Sequence, residues 1–223
     1  NTTGHIETNN ADSAIALATQ LEIDNYVPFP SIDSDGNTLF GVPLPYAWGP
    51  FNGKYILACG DPNRPGHVYW TNAERPDGAD VSNNTPVTQP NEPLQGGFIY
   101  ASSPFVWSGE NLFFLDFGGP LSTPLFVPRK TPVGKGISGP WAFCVGPLIW
   151  FLSKDGIYRT DGQSPADSIS EQTISPLFRG ETINDLSPVD YTKRSALRLF
   201  YADLKVHFIY QSSDSIYHHL TYH

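Results

Sequence analysis

The segment from Phe98 to Asp116 reads FIYASSPFVWSGENLFFLD, and it can be laid on the segment from Trp141 to Asp161, which reads WAFCVGPLIWFLSKDGIYRTD. In this alignment Trp107 lies over Trp150. Apolar runs separated by turn residues are typical of short β-strands joined by tight turns. The two segments therefore predict a repeated β unit in which the matching tryptophans pack between neighbouring units.

The repeat extends towards the amino terminus. Tyr55, Phe98 and Trp141 stand 43 residues apart, and each opens an apolar run of similar shape. A period of roughly 40 to 50 residues with several short strands per unit is the signature of a propeller blade. One such unit cannot bury its apolar faces alone, so neighbouring units must stack.

The predicted fold is therefore all-β, a β-propeller with a repeat period of about 43 residues. We expect an acidic leader with the first strands over residues 1–54, followed by blades over about 55–97, 98–140, 141–183 and 184–223. A closed propeller has about 4 to 8 blades. Three or four units fit this chain, which predicts an incomplete ring or a fragment of a larger propeller.

The leader has an alternating segment. The apolar residues between Ile15 and Ile23 recur at every second position, which favours a strand with one buried face. A helix capped by Asp12 or Ser13 is the alternative, because alanines at positions 14, 16 and 18 are good helix formers. The run Ser34–Asn37 supplies turn residues before the next strand.

Within the blades, the apolar runs predict antiparallel pairs, and polar segments predict the connections. The segment Asn72–Pro93 has no apolar period and is expected to be a surface excursion. The expected strand pairs are Lys54–Cys59 with His67–Thr71, Phe98–Trp107 with Leu112–Phe117, Trp141–Leu152 with Ile157–Thr160, and Ala196–Tyr201 with Val206–Tyr210, followed by Ser215–Tyr222.

The composition excludes some classes of function. The chain has 22 acidic and 13 basic residues in 223, a net charge of −9 with His neutral. Such a field repels phosphate backbones, so sequence-specific binding of nucleic acid is not expected. No apolar stretch approaches the length of a membrane span, and no membrane partner is predicted. Cys59 and Cys144 lie in apolar runs and are interpreted as small core residues, with a disulfide left open.

One cluster of polar residues is a candidate ligand site. Asp61, Arg64, His67 and Trp70 lie together in and after the first long connection, where they would form a pocket at one end of the ring. The alternative is a surface loop fixed by its prolines, with Arg64 paired to Asp61. No catalytic residues, metal ligands or cofactor are predicted, since neither a nucleophile elbow nor a metal-ligand spacing is present. His219 and His223 would share a strand face opposite to His218.

Three stretches resemble propeller-bearing structural proteins of tailed bacteriophages and prophages: Gly60–Asn72 (GDPNRPGHVYWTN), Leu21–Pro30 and Phe151–Tyr158. This resemblance to tail tubular or nozzle-like proteins implies a non-enzymatic component of the virion that contributes to DNA passage or tail assembly. It also implies a homo-oligomeric ring with other virion or tail proteins as partners. The alternative class is a secreted, extracellular β-propeller that binds or processes carbohydrate.

Overall fold

The computed structural model describes residues 27–28, 44–73, 75, 78–80 and 82–222, and the prediction of an all-β fold is confirmed for them. In chain order the strands are β1 (Val27–Pro28), β2 (Tyr46–Phe51), β3 (Tyr55–Cys59), β4 (His67–Trp70), β5 (Gly78–Ala79), β6 (Asn84–Pro86), β7 (Leu94–Tyr100), β8 (Ser103–Ser108), β9 (Leu112–Phe117), β10 (Phe126–Lys130), β11 (Phe143–Val145), β12 (Ile149–Ser153), β13 (Gly156–Thr160), β14 (Asp167–Ser168), β15 (Arg198–Ala202), β16 (Lys205–Gln211) and β17 (Tyr217–Tyr222).

The strands form four antiparallel sheets in chain order. Sheet 1 has the order β2-β3-β4-β6, sheet 2 the order β7-β8-β9-β10, and sheet 3 the order β11-β12-β13-β14. Sheet 4 has three strands, β15-β16-β17, and the short strands β1 and β5 pair separately. A one-turn helix α1 (Ser175–Phe178) and a short 3₁₀ helix (Arg194–Ala196) lie between sheets 3 and 4. No described helix is long and apolar enough to cross a bilayer.

The predicted hairpins form, but two of their strands are shorter than expected. The segment Phe98–Trp107 is divided by a two-residue turn at Ala101 and Ser102, whose φ angles are 48° and 60°. Two positive φ values define the type I′ turn that matches the twist of a hairpin. The segment Trp141–Leu152 is likewise divided into β11 and β12. Each predicted long strand is therefore a pair of adjacent strands.

The sheets pack face to face, and each contact contains at least one buried tryptophan from the preceding sheet, with Trp70 as a second one between sheets 1 and 2. Trp48 lies between sheets 1 and 2, Trp107 between sheets 2 and 3, and Trp150 between sheets 3 and 4. Trp107 contacts Phe151 with ring centroids 4.7 Å apart, and Trp150 stacks on Tyr201 at 5.2 Å. Burial of rings of this size accounts for much of the apolar stabilisation of the stack.

The spacing of the sheets differs from the spacing of the aromatic residues. The first strands begin at Tyr46, Leu94, Phe143 and Arg198, so successive starts are 48, 49 and 55 residues apart. The 43-residue markers are not equivalent, because Tyr55 opens a second strand and Phe98 lies within a first strand. Trp141 precedes β11 and is 52% exposed. The alignment matched bulky residues and did not account for connections of unequal length.

The two tryptophans that the alignment superposed also differ in position. Trp107 is the second-last residue of β8, whereas Trp150 is the second residue of β12. Both are buried between sheets, at 0% and 8% exposure, as their expected packing role requires. Both β8 and β12 lie in sheets that are covered on both faces, so each ring is buried without a common place in a repeat.

The segment Asn72–Pro93 is not only a surface excursion. It contains β6, which pairs with β4 and completes sheet 1, and Thr85 of β6 is 5% exposed. The residues of β6 are polar or proline, so this edge strand has no apolar periodicity by which the sequence would predict it.

Both cysteines are buried and free, so the described chain has no disulfide between Cys59 and Cys144. Burial raises the pKa of each thiol to about 12. The predictions for the alternating segment Ile15–Ile23 and for the turn Ser34–Asn37 lie outside the described residues, as does His223.

Candidate binding clefts

The four sheets meet at one cleft, which we call the central cleft. It has a volume of about 400 Å³, and residues at or just before the first strand of every sheet line it. These residues are Tyr46 for sheet 1, Leu94 for sheet 2, Pro140 for sheet 3 and Ser195 for sheet 4. A second opening of about 510 Å³, the side cleft, shares Pro93, Gln95 and Arg194 with it.

Arg194 connects the two clefts. Its Nε donates to the backbone oxygen of Ser138 at 2.9 Å, and its Nη2 donates to the side-chain oxygen of Gln95. These acceptors are neutral, and no carboxylate of the described chain forms an ion pair with this guanidinium. Arg194 lies before sheet 4, and its two hydrogen bonds join that segment to sheet 2 and to the segment before sheet 3. Its positive charge lies at the mouth of the two clefts.

The clefts have several hydrogen-bonding groups but no assembled nucleophile. The hydroxyl of Ser138 is buried and has no partner among the described residues, so no base activates it there. Burial raises the pKa of Tyr46, with Cys59 acting in the same direction and Arg194 opposing. Burial also raises the pKa of Tyr191, whose hydroxyl donates to the backbone oxygen of Ser153 at 3.3 Å. These groups can bind a polar or anionic ligand by hydrogen bonds.

Two ion pairs connect the β12–β13 turn of sheet 3 with preceding parts of the chain, and the residues of one of them, Lys154 and Glu110, line the side cleft. Lys154, in the β12–β13 turn, pairs with Glu110, in the β8–β9 turn. Lys135 pairs with Asp155 at 2.5 Å. All four side chains are more than a third exposed, so each pair contributes no more than about 1 kcal/mol.

The four candidate residues from the sequence do not converge on one pocket. Asp61 lines the central cleft, Arg64 and His67 line a separate opening of about 290 Å³, and Trp70 lines a third. Asp61 is 1% exposed and accepts hydrogen bonds from the Tyr69 hydroxyl and the Asn63 amide. It therefore pairs with Tyr69, whereas the sequence alternative expected a surface pair with Arg64.

His67 and Trp70 have structural contacts. The Nδ1 of His67 lies 3.0 Å from the side-chain oxygen of Asn84 in β6, across sheet 1. Trp70 is 3% exposed and packs edge to face on Phe126 of sheet 2 at 5.3 Å. Its ring is therefore part of the contact between two sheets, where it has little surface left for stacking on a ligand.

Another serine, histidine and aspartate meet in sheet 4. The Oγ of Ser212 lies 3.1 Å from Nε2 of His218 and donates to the carboxylate of Asp214. A catalytic triad requires the carboxylate to orient the imidazole, but here it contacts the serine. Ser212 is also fully buried. The three residues instead close the β16–β17 turn. Among the described residues no group of three or more His, Cys, Asp or Glu is arranged to hold a metal ion.

The sequence reasoning missed Arg194, the cation that the two clefts share. It opens the short 3₁₀ helix Arg194–Ala196 in the connection between sheets 3 and 4, and no motif marks it. The one signal is the basic pair Lys193-Arg194, which lies four residues before the first strand of sheet 4 begins at Arg198.

Comparisons with known proteins find one distant structural likeness and no related sequence. No protein-family model and no curated protein matches this sequence. Among solved structures, the crystal structure of puromycin hydrolase is similar to 80% of this chain, with 13% sequence identity and a TM-score of 0.42. The chain spans 27% of the length of that protein. A likeness at this level carries no argument about the activity of this chain.

Proposed function

We propose that this chain is a β-propeller component of a tailed-phage virion, of the tail or nozzle class, with a structural and not an enzymatic role. The observation that carries the propeller is that the first strands of all four sheets begin around one cleft. In a propeller the first strand of each blade lies next to the central axis, and the sheets are repeated radially. β2 lies against β7, and β11 against β15, as neighbouring inner strands do.

The packing between the sheets favours a mechanical, structural role for this chain over a catalytic role. Each contact between sheets is filled by large buried rings, and close-packed interiors of this kind deform little. Gly97 illustrates how tight the contact is, because a Cβ placed there would lie 2.4 Å from the ring of Trp48. A stack this rigid suits a wall that keeps its shape under mechanical load.

The virion assignment is supported by the sequence resemblance and by charge. The GDPNRPGHVYWTN run forms the β3–β4 connection and β4, held by the buried pair of Asp61 and Tyr69. With a net charge of −9, an assembly of these chains would repel DNA and let it pass without adhering. Other virion or tail proteins are the proposed partners, and the phage particle is the proposed location.

The test is reconstitution with neighbouring gene products. The full-length product should be co-expressed with the proteins encoded beside it, purified through one tagged copy and imaged by electron microscopy. Ring-shaped assemblies containing this chain are the expected result. A free monomer with no ring, or a reading frame that does not lie among portal, capsid and tail genes, would contradict the proposal.

The carbohydrate-binding class is tested on the same material. Of the five tryptophans, Trp141 is the exposed one, and Trp70, the earlier candidate for sugar stacking, is buried. Specific binding on a glycan array that is lost in Trp141→Ala would favour the secreted, carbohydrate-binding function over the virion one.

A further inference from the structure

The side cleft contains a cation that the described chain does not neutralise. Four charged side chains line this cleft: Glu92, Glu110, Lys154 and Arg194. Lys154 pairs with Glu110, and one oxygen of Glu92 accepts hydrogen bonds from the Ser108 hydroxyl and the Asn111 amide. Both acceptors of Arg194 are neutral. Among the described residues, its guanidinium is therefore the one cation of the cleft without a carboxylate partner.

Arg194 has hydrogen-bonding capacity left for a ligand. A guanidinium has five N–H groups. Two of them are used, since Nε donates to the backbone oxygen of Ser138 at 2.9 Å and Nη2 donates to the side chain of Gln95. Three remain, two on Nη1 and one on Nη2, and the residue is exposed where it lines the cleft. Guanidinium groups with free N–H groups are the usual partners of carboxylates in proteins.

The surrounding backbone holds Arg194 in position. Gly139 lies close against it, and a Cβ placed at Gly139 would lie 2.5 Å from the backbone oxygen of Arg194. The two acceptors of its side chain belong to buried residues, because Ser138 is 6% exposed and Gln95 is 7% exposed. An ordered cation binds a ligand at a lower entropic cost than one that must first be immobilised. This part of the cleft is therefore already arranged for binding.

The hydroxyl of Ser138 is a second group available to a ligand. Ser138 lines the side cleft, and its buried Oγ has no hydrogen-bond partner among the described residues. Its backbone groups are used, since the N–H donates to the oxygen of Leu152 at 2.9 Å and the oxygen accepts from Arg194. A buried hydroxyl without a partner costs free energy, which a ligand that accepts its hydrogen bond would recover. The hydroxyl and the guanidinium therefore lie on one wall of the cleft as two donors.

We propose that the side cleft binds an organic carboxylate, whose anionic group accepts hydrogen bonds from the free N–H groups of Arg194 and from the Ser138 hydroxyl. The volume of about 510 Å³ is in the range of small-molecule sites. Glu92 and Glu110 line the same cleft and repel a doubly charged anion more than a singly charged one, so a carboxylate is preferred to phosphate. The carboxylate belongs to a small organic acid or to the carboxyl end of a peptide. The inference goes beyond the virion assignment and does not depend on it.

The test is binding of small carboxylates by the whole chain. Acetate, butyrate and benzoate are titrated at constant ionic strength, with acetamide, butyramide and benzamide as uncharged controls of the same shape. Saturation-transfer NMR should show saturable binding of the acids and at least about tenfold weaker binding of the amides. Inorganic phosphate should bind more weakly than the acids. Hexapeptides with a free or an amidated carboxyl terminus then show whether a small acid or a chain end is the tighter ligand.

Variants locate the binding in the side cleft. Arg194→Gln should weaken carboxylate binding at least about tenfold, and Arg194→Lys should weaken it less, because lysine keeps the charge but not the planar fork. Ser138→Ala should weaken binding about threefold and leave the melting temperature of the free chain close to that of the parent, since its hydroxyl has no partner to lose. Arg198→Gln makes the same change in net charge at an exposed position outside the cleft and should retain binding.

Four results would overturn the inference. They are no saturable binding of any acid up to about 100 mM, amides that bind as tightly as the acids, phosphate that binds more tightly than the acids, and equal binding by Arg194→Gln and Arg198→Gln. If Arg194→Gln does not fold, the Arg194→Lys and Ser138→Ala variants decide the question, and binding at the parent affinity in both would overturn the inference. None of these results bears on the virion assignment, which reconstitution tests separately.

Discussion

The hydroxyl of Tyr69 donates a hydrogen bond to the carboxylate of Asp61 at 2.5 Å, and both side chains are buried. Burial, reinforced by the hydrogen bond to Asp61, raises the pKa of Tyr69. The same carboxylate accepts the backbone amide of Asn63 at 2.8 Å. One buried carboxylate thus fixes the β3–β4 connection.

Tyr69→Phe should therefore destabilise the fold. The substitution leaves a buried carboxylate without one of its donors, which costs about 1 to 3 kcal/mol of unfolding free energy. Urea denaturation measures the loss. Tyr100→Phe is the matched control, because its hydroxyl donates to the backbone oxygen of Pro147 near the surface, and its loss should stay below about 1 kcal/mol. Equal losses of unfolding free energy in the two variants would show that the buried contact with Asp61 stabilises the fold no more than the surface contact of Tyr100 does.

The two buried thiols predict a loss of stability at alkaline pH. Burial raises the pKa of Cys59 and Cys144 from 9.0 to about 12, so the folded chain keeps protons that the unfolded chain releases. Their contribution is complete below the unfolded pKa and is lost as the pH rises from about 9 towards 12, by about 1.4 kcal/mol per pH unit for each thiol.

The measurement is urea unfolding at several pH values between about 7.5 and 9, where the tyrosines of the unfolded chain, with an ordinary pKa of about 10, are still mostly protonated. The Cys59→Ala, Cys144→Ala variant should have a lower stability at neutral pH but a flatter dependence on pH. If its slope equals that of the parent chain, the thiols are not the groups that titrate.

Trp107 should be the most costly ring to remove. It is fully buried between sheets 2 and 3, so Trp107→Ala should cost about 3 to 5 kcal/mol. Trp141→Ala, at a half-exposed position, should change stability by no more than about 0.5 kcal/mol. Trp107→Phe should cost much less than Trp107→Ala, because the buried indole N–H has no partner among the described residues. Equal effects at positions 107 and 141 would contradict the packing between sheets.

The net charge predicts weak contact with DNA. Fluorescence anisotropy with a short labelled duplex at physiological salt should give a dissociation constant weaker than about 100 µM. A basic unrelated protein of similar size provides the positive control. Micromolar binding would contradict a passage through which DNA moves without adhering.

Much of the strand pattern could be predicted, because long apolar runs and the Lys154-Asp155-Gly156 turn leave few alternatives to a hairpin. The turn at Ala101-Ser102 could not, since neither residue carries the usual signature of positive φ. The strand β6 could not be predicted because its residues are polar or proline. The spacing of the sheets could not be predicted because the connections between them differ in length. Of the candidate site, Asp61 was identified, but its partner Tyr69 is eight residues away and becomes a neighbour only when β3 and β4 pair.

The central claim is that four sheets surround one axis, with their first strands innermost and a tryptophan at each contact. An experimental structure of the chain at side-chain resolution tests this most directly. We expect β2, β7, β11 and β15 to surround the central cleft, with Trp48, Trp107 and Trp150 enclosed between successive sheets. First strands at the periphery, or these three rings in solvent, would contradict the account.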